Sequence, residues 1–337
     1  MNITTIGLDI AKRVFHVVCC NQQGRLIKKK MLKRAQVYLY FQNQAPCLVA
    51  LEACATSHYW AREIEQCGHT VKLIPPQHVK AFLIGNKNDY NDALAIAVAG
   101  RQPHIKSVGI KSIEQQDNQA QHKARAMAIG HRTALCNQIR SLLAEYGICL
   151  SLGVSTIRKN LPMLLNDDVE HLSGAFKITL RQLAQQLESL DTSIELFDEL
   201  IIKASKSNDI CRRLQTIPGI GPMVSSAYFN EVGNGSAYCK GRDVAASLGL
   251  VPKQHSSGGK DLLLGISKKG NRYLRCLMVQ GSQSVVTSAK LKNDKLSQWI
   301  NRLVETRGHN RACVAYANKM ARMAWAVTVS GEDYSPI

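Results

Sequence analysis

Phe176, Leu180, Leu183, Leu187, Leu190, Ile194, Phe197 and Ile201 recur at alternating steps of four and three residues, the 3.5-residue period of a seam between packed helices. An apolar stripe of that length has to be covered by another helix. Residues 112–146 also have helical spacing, and Gly153 and Pro162 break the stretch between the two, so the first helix can return antiparallel to the second. The seam is filled either within the chain or by a second subunit. In both cases its role is packing, and it defines a helical coiled-coil region over residues 106–210.

The N-terminal part follows a different period. Residues 3–9 (Ile-Thr-Thr-Ile-Gly-Leu-Asp) and 14–20 (Val-Phe-His-Val-Val-Cys-Cys) are β-branched or apolar runs around the short Ile10-Ala11-Lys12-Arg13 segment, the pattern of a hairpin. Gln22-Gln23-Gly24 supplies a second turn. Residues 48–52 and 70–74 are buried-strand runs, and 58–67 between them has helical spacing, which makes a β-α-β unit. Pro75-Pro76 ends the last strand, and residues 77–103 read as helix with a break at 85–88. A meander followed by parallel strands predicts a mixed α/β sheet in a domain closing near residue 105.

Beyond Arg212 the chain turns basic and glycine-rich. Ile217-Pro218-Gly219-Ile220-Gly221, Gly249-Leu250-Val251-Pro252, Ser256-Ser257-Gly258-Gly259 and Lys268-Lys269-Gly270-Asn271 read as loops between helices. Helices over 272–288 and 310–329 complete a mostly helical region, 211–337.

Charge narrows the partner. The 337 residues carry 43 Lys and Arg against 25 Asp and Glu, a formal +18, which suits a polyanion better than a small metabolite. The excess is +6 in residues 1–100, +1 in 101–210 and +11 in 211–337. Eleven cysteines are scattered without a Cys-x-x-Cys pair, so free thiols in a reducing cytosol are expected instead of zinc or disulfides. No segment approaches the roughly 18 apolar residues of a membrane span, and a cytoplasmic location is expected.

Four carboxylates stand where chemistry would need them. Asp9 ends the first strand and Glu52 ends another after Leu48-Val49-Ala50-Leu51, the end at which open sheets present ligand groups. Asp89 and Asp92 lie three apart on one face of a predicted helix, where like charges repel unless a cation joins them. Converging, the four would bind hard divalent cations and activate phosphate esters. Taken singly, Asp89 also reads as a helix N-cap, Asp92 as a helix-dipole partner, and Asp9 and Lys12 as turn residues.

In the C-terminal region, Gly219 and Gly221 permit a tight turn that leaves backbone NH groups free for a phosphate. Lys268, Lys269, Arg272 and Arg275 form a basic cluster suited to backbone phosphates. A serine in the His255-Ser256-Ser257-Gly258-Gly259-Lys260 loop could attack phosphorus if activated.

Taken in order, Gly7-Leu8-Asp9-Ile10-Ala11-Lys12, Leu51-Glu52-Ala53, Asn88-Asp89-Tyr90-Asn91-Asp92-Ala93, the Ile217–Gly221 turn, and Gly249-Leu250-Val251-Pro252 followed by Ser256-Ser257-Gly258-Gly259 resemble the insertion-sequence transposases of the IS-one-ten family. The likeness is to its eleven-eleven group, relatives of the Piv DNA invertase, and covers nearly the whole chain. The resemblance implies a RuvC-like domain of the ribonuclease H fold with an Asp-Glu-Asp-Asp magnesium site at Asp9, Glu52, Asp89 and Asp92. It also implies a C-terminal transposase domain in which Ser257, with Ser256 as the alternative, becomes linked to DNA phosphate. A structured noncoding bridge RNA that pairs with donor and target DNA, and a homo-oligomer (dimer or tetramer), belong to the same expectation. Two other readings stay open: a hydrolytic RuvC-like junction nuclease using the carboxylates alone, and a non-catalytic nucleic-acid-binding protein.

Overall fold

The computed structural model describes residues 2–86, 88–166 and 172–336, and the chain divides into two compact units, Met1–Ser112 and Ile113–Ile337. The expected break at 85–88 includes Lys87, which lies outside the described residues.

The first unit is built on a five-stranded sheet of β1 (Thr5–Ile10), β2 (Val14–Cys20), β3 (Leu26–Lys33), β4 (Leu48–Glu52) and β5 (Thr70–Ile74), in the order β3-β2-β1-β4-β5. β1 pairs antiparallel with β2, and β2 with β3, while β1, β4 and β5 run parallel. This is the mixed sheet expected from the alternation of runs. Four α-helices accompany it: α1 (Val37–Gln42), α2 (Ser57–Gln66), α3 (Pro76–Val79) and α4 (Asp89–Arg101).

Strand parity divides the sheet into two faces. Ile6, Leu8, Phe15, Val17, Val49 and Leu51 pack with Phe41 of α1 and with Trp60 and Ile64 of α2 in one core. Val18, Cys20 and Ala50 turn to the opposite face, toward the alanines of α4. Large side chains would hold α4 away, but its contact surface is small. A Cβ on Gly7 would lie 2.0 Å from the Ala93 carbonyl oxygen, and one on Gly100 would lie 2.4 Å from the Ala50 Cβ. This close seat fixes where the first turn of α4 stands over the sheet.

The first unit extends past the expected boundary at 105. Val108 makes an antiparallel bridge to Leu73, and Arg62 Nη1 donates to the Lys111 carbonyl at 2.6 Å, so residues 106–112 belong to the sheet domain.

The second unit holds α5 (Ile113–Ala144), α6 (Val154–Leu164), α7 (Gly174–Ser207), α8 (Asp209–Leu214), α9 (Pro222–Val232), α10 (Gly241–Ser247), a two-stranded ribbon of β6 (Pro252–Ser257) and β7 (Lys260–Ile266), then α11 (Arg272–Ser288), α12 (Lys295–Arg307) and α13 (His309–Ser330). Within it α7 runs antiparallel to α5, as paired positions show: Arg132 Nη1 meets Asp191 Oδ1 at 3.0 Å, Arg125 pairs with Asp198, and Tyr146 stacks on Phe176 with centroids 4.1 Å apart. The stripe of α7 is covered inside the chain, with Leu180, Leu187, Ile194 and Ile201 buried. Leu196 and Leu200, on another side of α7, remain exposed.

Pro162 does not break the intervening stretch. It sits within α6 near its end, and the Arg158 guanidinium joins α6 to Asp191 through Nε at 2.8 Å. The expected division at 210 is crossed by packing: His122 of α5 bonds Ser226 of α9 at 2.9 Å and the Tyr273 hydroxyl of α11 at 3.0 Å. Regions 106–210 and 211–337 therefore share one compact unit from residue 113 onward.

The Ser-Gly-Gly segment is not a loop between helices. Gly258 and Gly259, at φ of 56° and 79°, form the two-residue turn of an exposed β-hairpin, the geometry that needs positive φ at both positions. No helix among the described residues is long and apolar enough to cross a membrane.

Candidate active site

Because β1 and β4 are parallel neighbours with Leu8 opposite Leu51, Asp9 and Glu52 leave the sheet side by side at the same edge. Both share the parity of Gly7 and Ala50, so both lie on the face that α4 covers. Asn88 caps α4, its side chain accepting from the Tyr90 NH at 2.9 Å. Asn88 thus takes the N-cap role weighed for Asp89, which starts the helix and is free for another task. After Glu52 the backbone turns through Thr56, held at a φ of 69°, the left-handed region that a β-branched residue adopts only when its surroundings impose it.

The carboxylates act on one another. Asp9 is pushed up to about 6 from the usual 3.8, first by burial, then by the charges of Asp92 and Asp89, with a smaller contribution from Glu52. Among the described residues, His16 is the neighbour that acts in the opposite direction on Asp9. Asp9, His16 and Asp89 each offer a ligand atom within 4.8 Å of the other two. Glu52 and Asp92 reach Asp9 electrostatically and lie outside that tightest group.

His16 was missed by the sequence reading. It faces Asp9 across the β1–β2 ladder, its Nδ1 lies 3.5 Å from Asp89 Oδ2, and that buried nitrogen has no hydrogen-bond partner among the described residues. The signal was available: a seven-residue hairpin spacing places residue 16 opposite residue 9, and parity turns both to one face. An orphaned imidazole nitrogen beside these carboxylates is a donor set of hard oxygens and one nitrogen, and it fits a divalent cation. Zinc-type clusters of cysteine and histidine are absent among the described residues; His69 is engaged with the Phe41 carbonyl at 2.9 Å and the Cys47 NH at 3.2 Å.

In the second unit, Ser256 and Ser257 end β6 beside the turn. The Ser256 hydroxyl donates to Asp261 Oδ1 at 2.5 Å and accepts from Gln254 Nε2 at 2.9 Å. Ser257 is exposed, and its hydroxyl makes no hydrogen bond among the described residues. The two serines point to opposite faces of the ribbon. The hairpin's root is held firmly. A Cβ on Gly249 would lie 2.4 Å from the Lys269 oxygen and one on Gly270 1.8 Å from the Ser247 oxygen, so two turns cross backbone to backbone.

Arg275 locks that crossing. It is 8% exposed, and its Nη1 donates to the Leu248 and Lys269 carbonyls at 3.0 and 2.9 Å. The expected phosphate contact at Arg275 is corrected accordingly, to a support for the hairpin. Lys268, Lys269 and Arg272 are exposed beside it. Gly219 is likewise explained by packing: a Cβ there would lie 2.7 Å from the Gly281 carbonyl of α11. Gly221 is the N-cap of α9.

A cluster of carboxylates at a sheet edge, in a chain of net charge +18, suits an enzyme that acts on DNA. The comparisons with known proteins place it further. Residues 6–148 match the DEDD transposase family of IS110 elements, and residues 211–297 match the family described as "Transposase IS116/IS110/IS902 family". The chain is 40% identical over its whole length to a "Probable family 20 transposase" of Pseudomonas aeruginosa, covering all of that protein. It is also 40% identical over 333 residues to the "Transposase for insertion sequence element IS1111A" of Coxiella burnetii, covering 99% of this chain and 92% of the relative. A "Pilin gene-inverting protein" of Moraxella lacunata is 26% identical over 277 residues, 77% of this chain and 75% of that one. The chain belongs to the IS110/IS116/IS902 family of insertion-sequence transposases.

Proposed function

We propose that this transposase cleaves and rejoins DNA through a serine–phosphate intermediate, with Asp9, Glu52, Asp89 and Asp92, assisted by His16, holding magnesium. The observation that carries the reading is the convergence on Asp9 of three further carboxylates and an orphaned imidazole nitrogen. The strand order β3-β2-β1-β4-β5 supports a ribonuclease H-like, RuvC-like identity for the first unit. A divalent cation there supplies Lewis-acid stabilisation of charge on phosphate and leaving oxygens.

Ser257 is the nucleophile in this reading. Its Oγ forms a bond to phosphorus as the ester bond to the leaving deoxyribose oxygen breaks. The bonding pair departs with that oxygen, which gains a proton while Oγ loses its own. Attack by a deoxyribose hydroxyl of a second strand reverses the exchange and frees the serine. One ester is made for each ester broken, so strands rejoin without an added energy source, whereas attack by water would end in a cut. The unbonded hydroxyl of Ser257, beside a Ser256 engaged with Asp261 and Gln254, favours Ser257.

Gly221, Lys268, Lys269 and Arg272 are proposed phosphate contacts. The family resemblance supplies the remaining partners: a noncoding bridge RNA, for which the net charge of +18 is suited, and a second copy of the chain in a dimer or tetramer, for which the exposed Leu196 and Leu200 of α7 are available.

The test is to trap a denaturant-stable protein–DNA adduct on a DNA carrying the element's ends, in magnesium. Wild type and Ser256→Ala should form it, and Ser257→Ala should not. Cleavage by wild type with no adduct would replace this reading with the hydrolytic junction nuclease, and binding with no magnesium-dependent cleavage would leave only a nucleic-acid-binding protein.

A further inference from the structure

The outer face of α13 is unlike the face that builds the core. Ala312, Tyr316, Ala317, Met320, Ala321 and Ala324 are buried, whereas Arg311, Ala315, Asn318, Arg322 and Ala326, at steps of three or four residues, floor an open groove of about 950 Å³. Lys319, on the same helix, and Lys240 and Arg242, around the start of α10, complete its cationic lining. The groove thus presents five cations, Lys240, Arg242, Arg311, Lys319 and Arg322, with no Asp or Glu in its lining. None of the five forms an ion pair among the described residues.

Two of the chain's three tryptophans line the same groove. Trp325 is fixed by an Nε1 bond to the Gly235 carbonyl at 3.2 Å, and Lys319 Nζ lies 5.0 Å from the Trp299 ring centroid. That ammonium sits over the indole face, so an incoming base takes its place against the ring and the displaced cation meets the phosphate of the same nucleotide. A paired base has its faces covered by its neighbours in the stack, so the indoles serve only a strand whose bases are open.

The groove leads to the hairpin. Pro252 and Ile266, paired at its root, line the groove and also an adjoining cavity of about 660 Å³, which shares Arg311 and adds Arg307.

We propose that this groove binds an unpaired DNA strand, holding its phosphates on Arg311, Lys319 and Arg322 and its bases on Trp299 and Trp325, and feeds that strand toward the hairpin. The choice of DNA over RNA rests on the reading of Ser257 as the residue that attacks a DNA phosphate. The strand is bound without regard to sequence, because every base has a face to stack and every nucleotide a phosphate.

The test uses the full-length protein in EDTA, so that strand binding is measured apart from cleavage. Fluorescence anisotropy would follow a labelled thymine oligodeoxynucleotide of about 12 nucleotides, the duplex of the same length, and the matching uracil oligoribonucleotide. Arg311→Gln combined with Arg322→Gln replaces two exposed side chains and should leave the melting temperature unchanged. It should weaken the single DNA strand about tenfold or more and flatten its salt dependence by about 1.4 in log–log slope, near 0.7 for each lost phosphate contact. The duplex should lose much less. In a Trp60→Phe background the remaining emission, from the two groove indoles, should be quenched by the thymine strand. Equal losses for strand and duplex would reduce the groove to a general positive field and overturn the proposal, as would tighter binding of the uracil strand or unquenched emission. Ser257→Ala should bind as wild type does. A missing covalent adduct alongside a strand-specific loss in the arginine variant would refute the serine reading and leave the groove standing.

Discussion

Replacing Asp9 with asparagine should make the cation-free protein more stable while abolishing its chemistry. Burial and the charges of Asp92 and Asp89 raise the Asp9 carboxyl from 3.8 to about 6. Each tenfold change in a protonation equilibrium corresponds to about 1.4 kcal/mol, so ionised Asp9 costs the folded state at most about 3 kcal/mol at pH 7.5. Asp9 is partly open to water, and screening reduces that to about 1–2 kcal/mol. The sign follows from proton linkage. The folded value lies above the unfolded one, so this contribution to stability is fully present below pH 3.8 and is lost as pH rises through about 6. Asparagine keeps the shape and removes the charge. In EDTA at pH 7.5, Asp9→Asn should raise the melting temperature of the first unit by about 4–8 °C, taking about 4 °C per kcal/mol. Magnesium should raise the wild type's melting temperature and leave the variant's unchanged. Differential scanning calorimetry between pH 4 and 8, with and without magnesium, measures both effects. An asparagine variant no more stable than wild type in EDTA at pH 7.5 would refute the account of Asp9 as a carboxylate held in repulsion.

Two further outcomes test the packing that positions the two units' chemistry. Gly7→Ala places a Cβ 2.0 Å from the Ala93 oxygen and 2.8 Å from the Ala97 Cβ; it should push α4 off the sheet, destabilise the first unit by about 1–3 kcal/mol, and weaken magnesium binding as Asp89 and Asp92 move, measured by urea titration and calorimetric cation titration. His122 is lowered from 6.5 to about 4 by burial, with a smaller effect of Arg125, so its contribution to stability is present above about pH 6.5 and is lost as pH falls through about 4, worth about 3 kcal/mol. His122→Gln should flatten the acid limb of the second unit's stability curve, and an unchanged slope between pH 4 and 6.5 would contradict that assignment.

What the sequence made legible follows from which forces are local. Strand parity, the apolar stripe of α7 and the carboxylates at strand ends are set within a few residues, so the mixed sheet, the helix pair and the positions of Asp9 and Glu52 could be read directly. Helices over 272–288 and 310–329 were placed within a residue or so of α11 and α13. Features decided by distant contacts were not legible. Arg275 looks like every other cation in its cluster until the Leu248 carbonyl, far back in the chain, is seen to accept from it. The close packing of Gly219 on Gly281 was likewise decided by a partner far along the chain. The Ser257 hairpin was hidden for a different reason. Its strands are exposed on both sides, so no hydrophobic alternation marks them, and only the Gly258–Gly259 turn carried a signal.

Those misreadings share a physical cause that bears on the hairpin itself. A ribbon exposed on both faces has no core to hold its register, yet Ser257 must be presented reproducibly. The crossing of Gly249 and Gly270 supplies what side-chain burial does not, since two backbones in contact leave little room to slide. Arg275 then satisfies the carbonyls that the crossing buries, which is why a cation is spent inside the structure in a region where every other basic group faces outward. Positive φ at Lys268, 54°, marks the same constraint: the chain leaves β7 in a conformation that a lysine adopts only under compulsion. The rigidity lies at the root and the freedom at the tip, which is the distribution a nucleophile needs if its phosphate arrives from outside the hairpin.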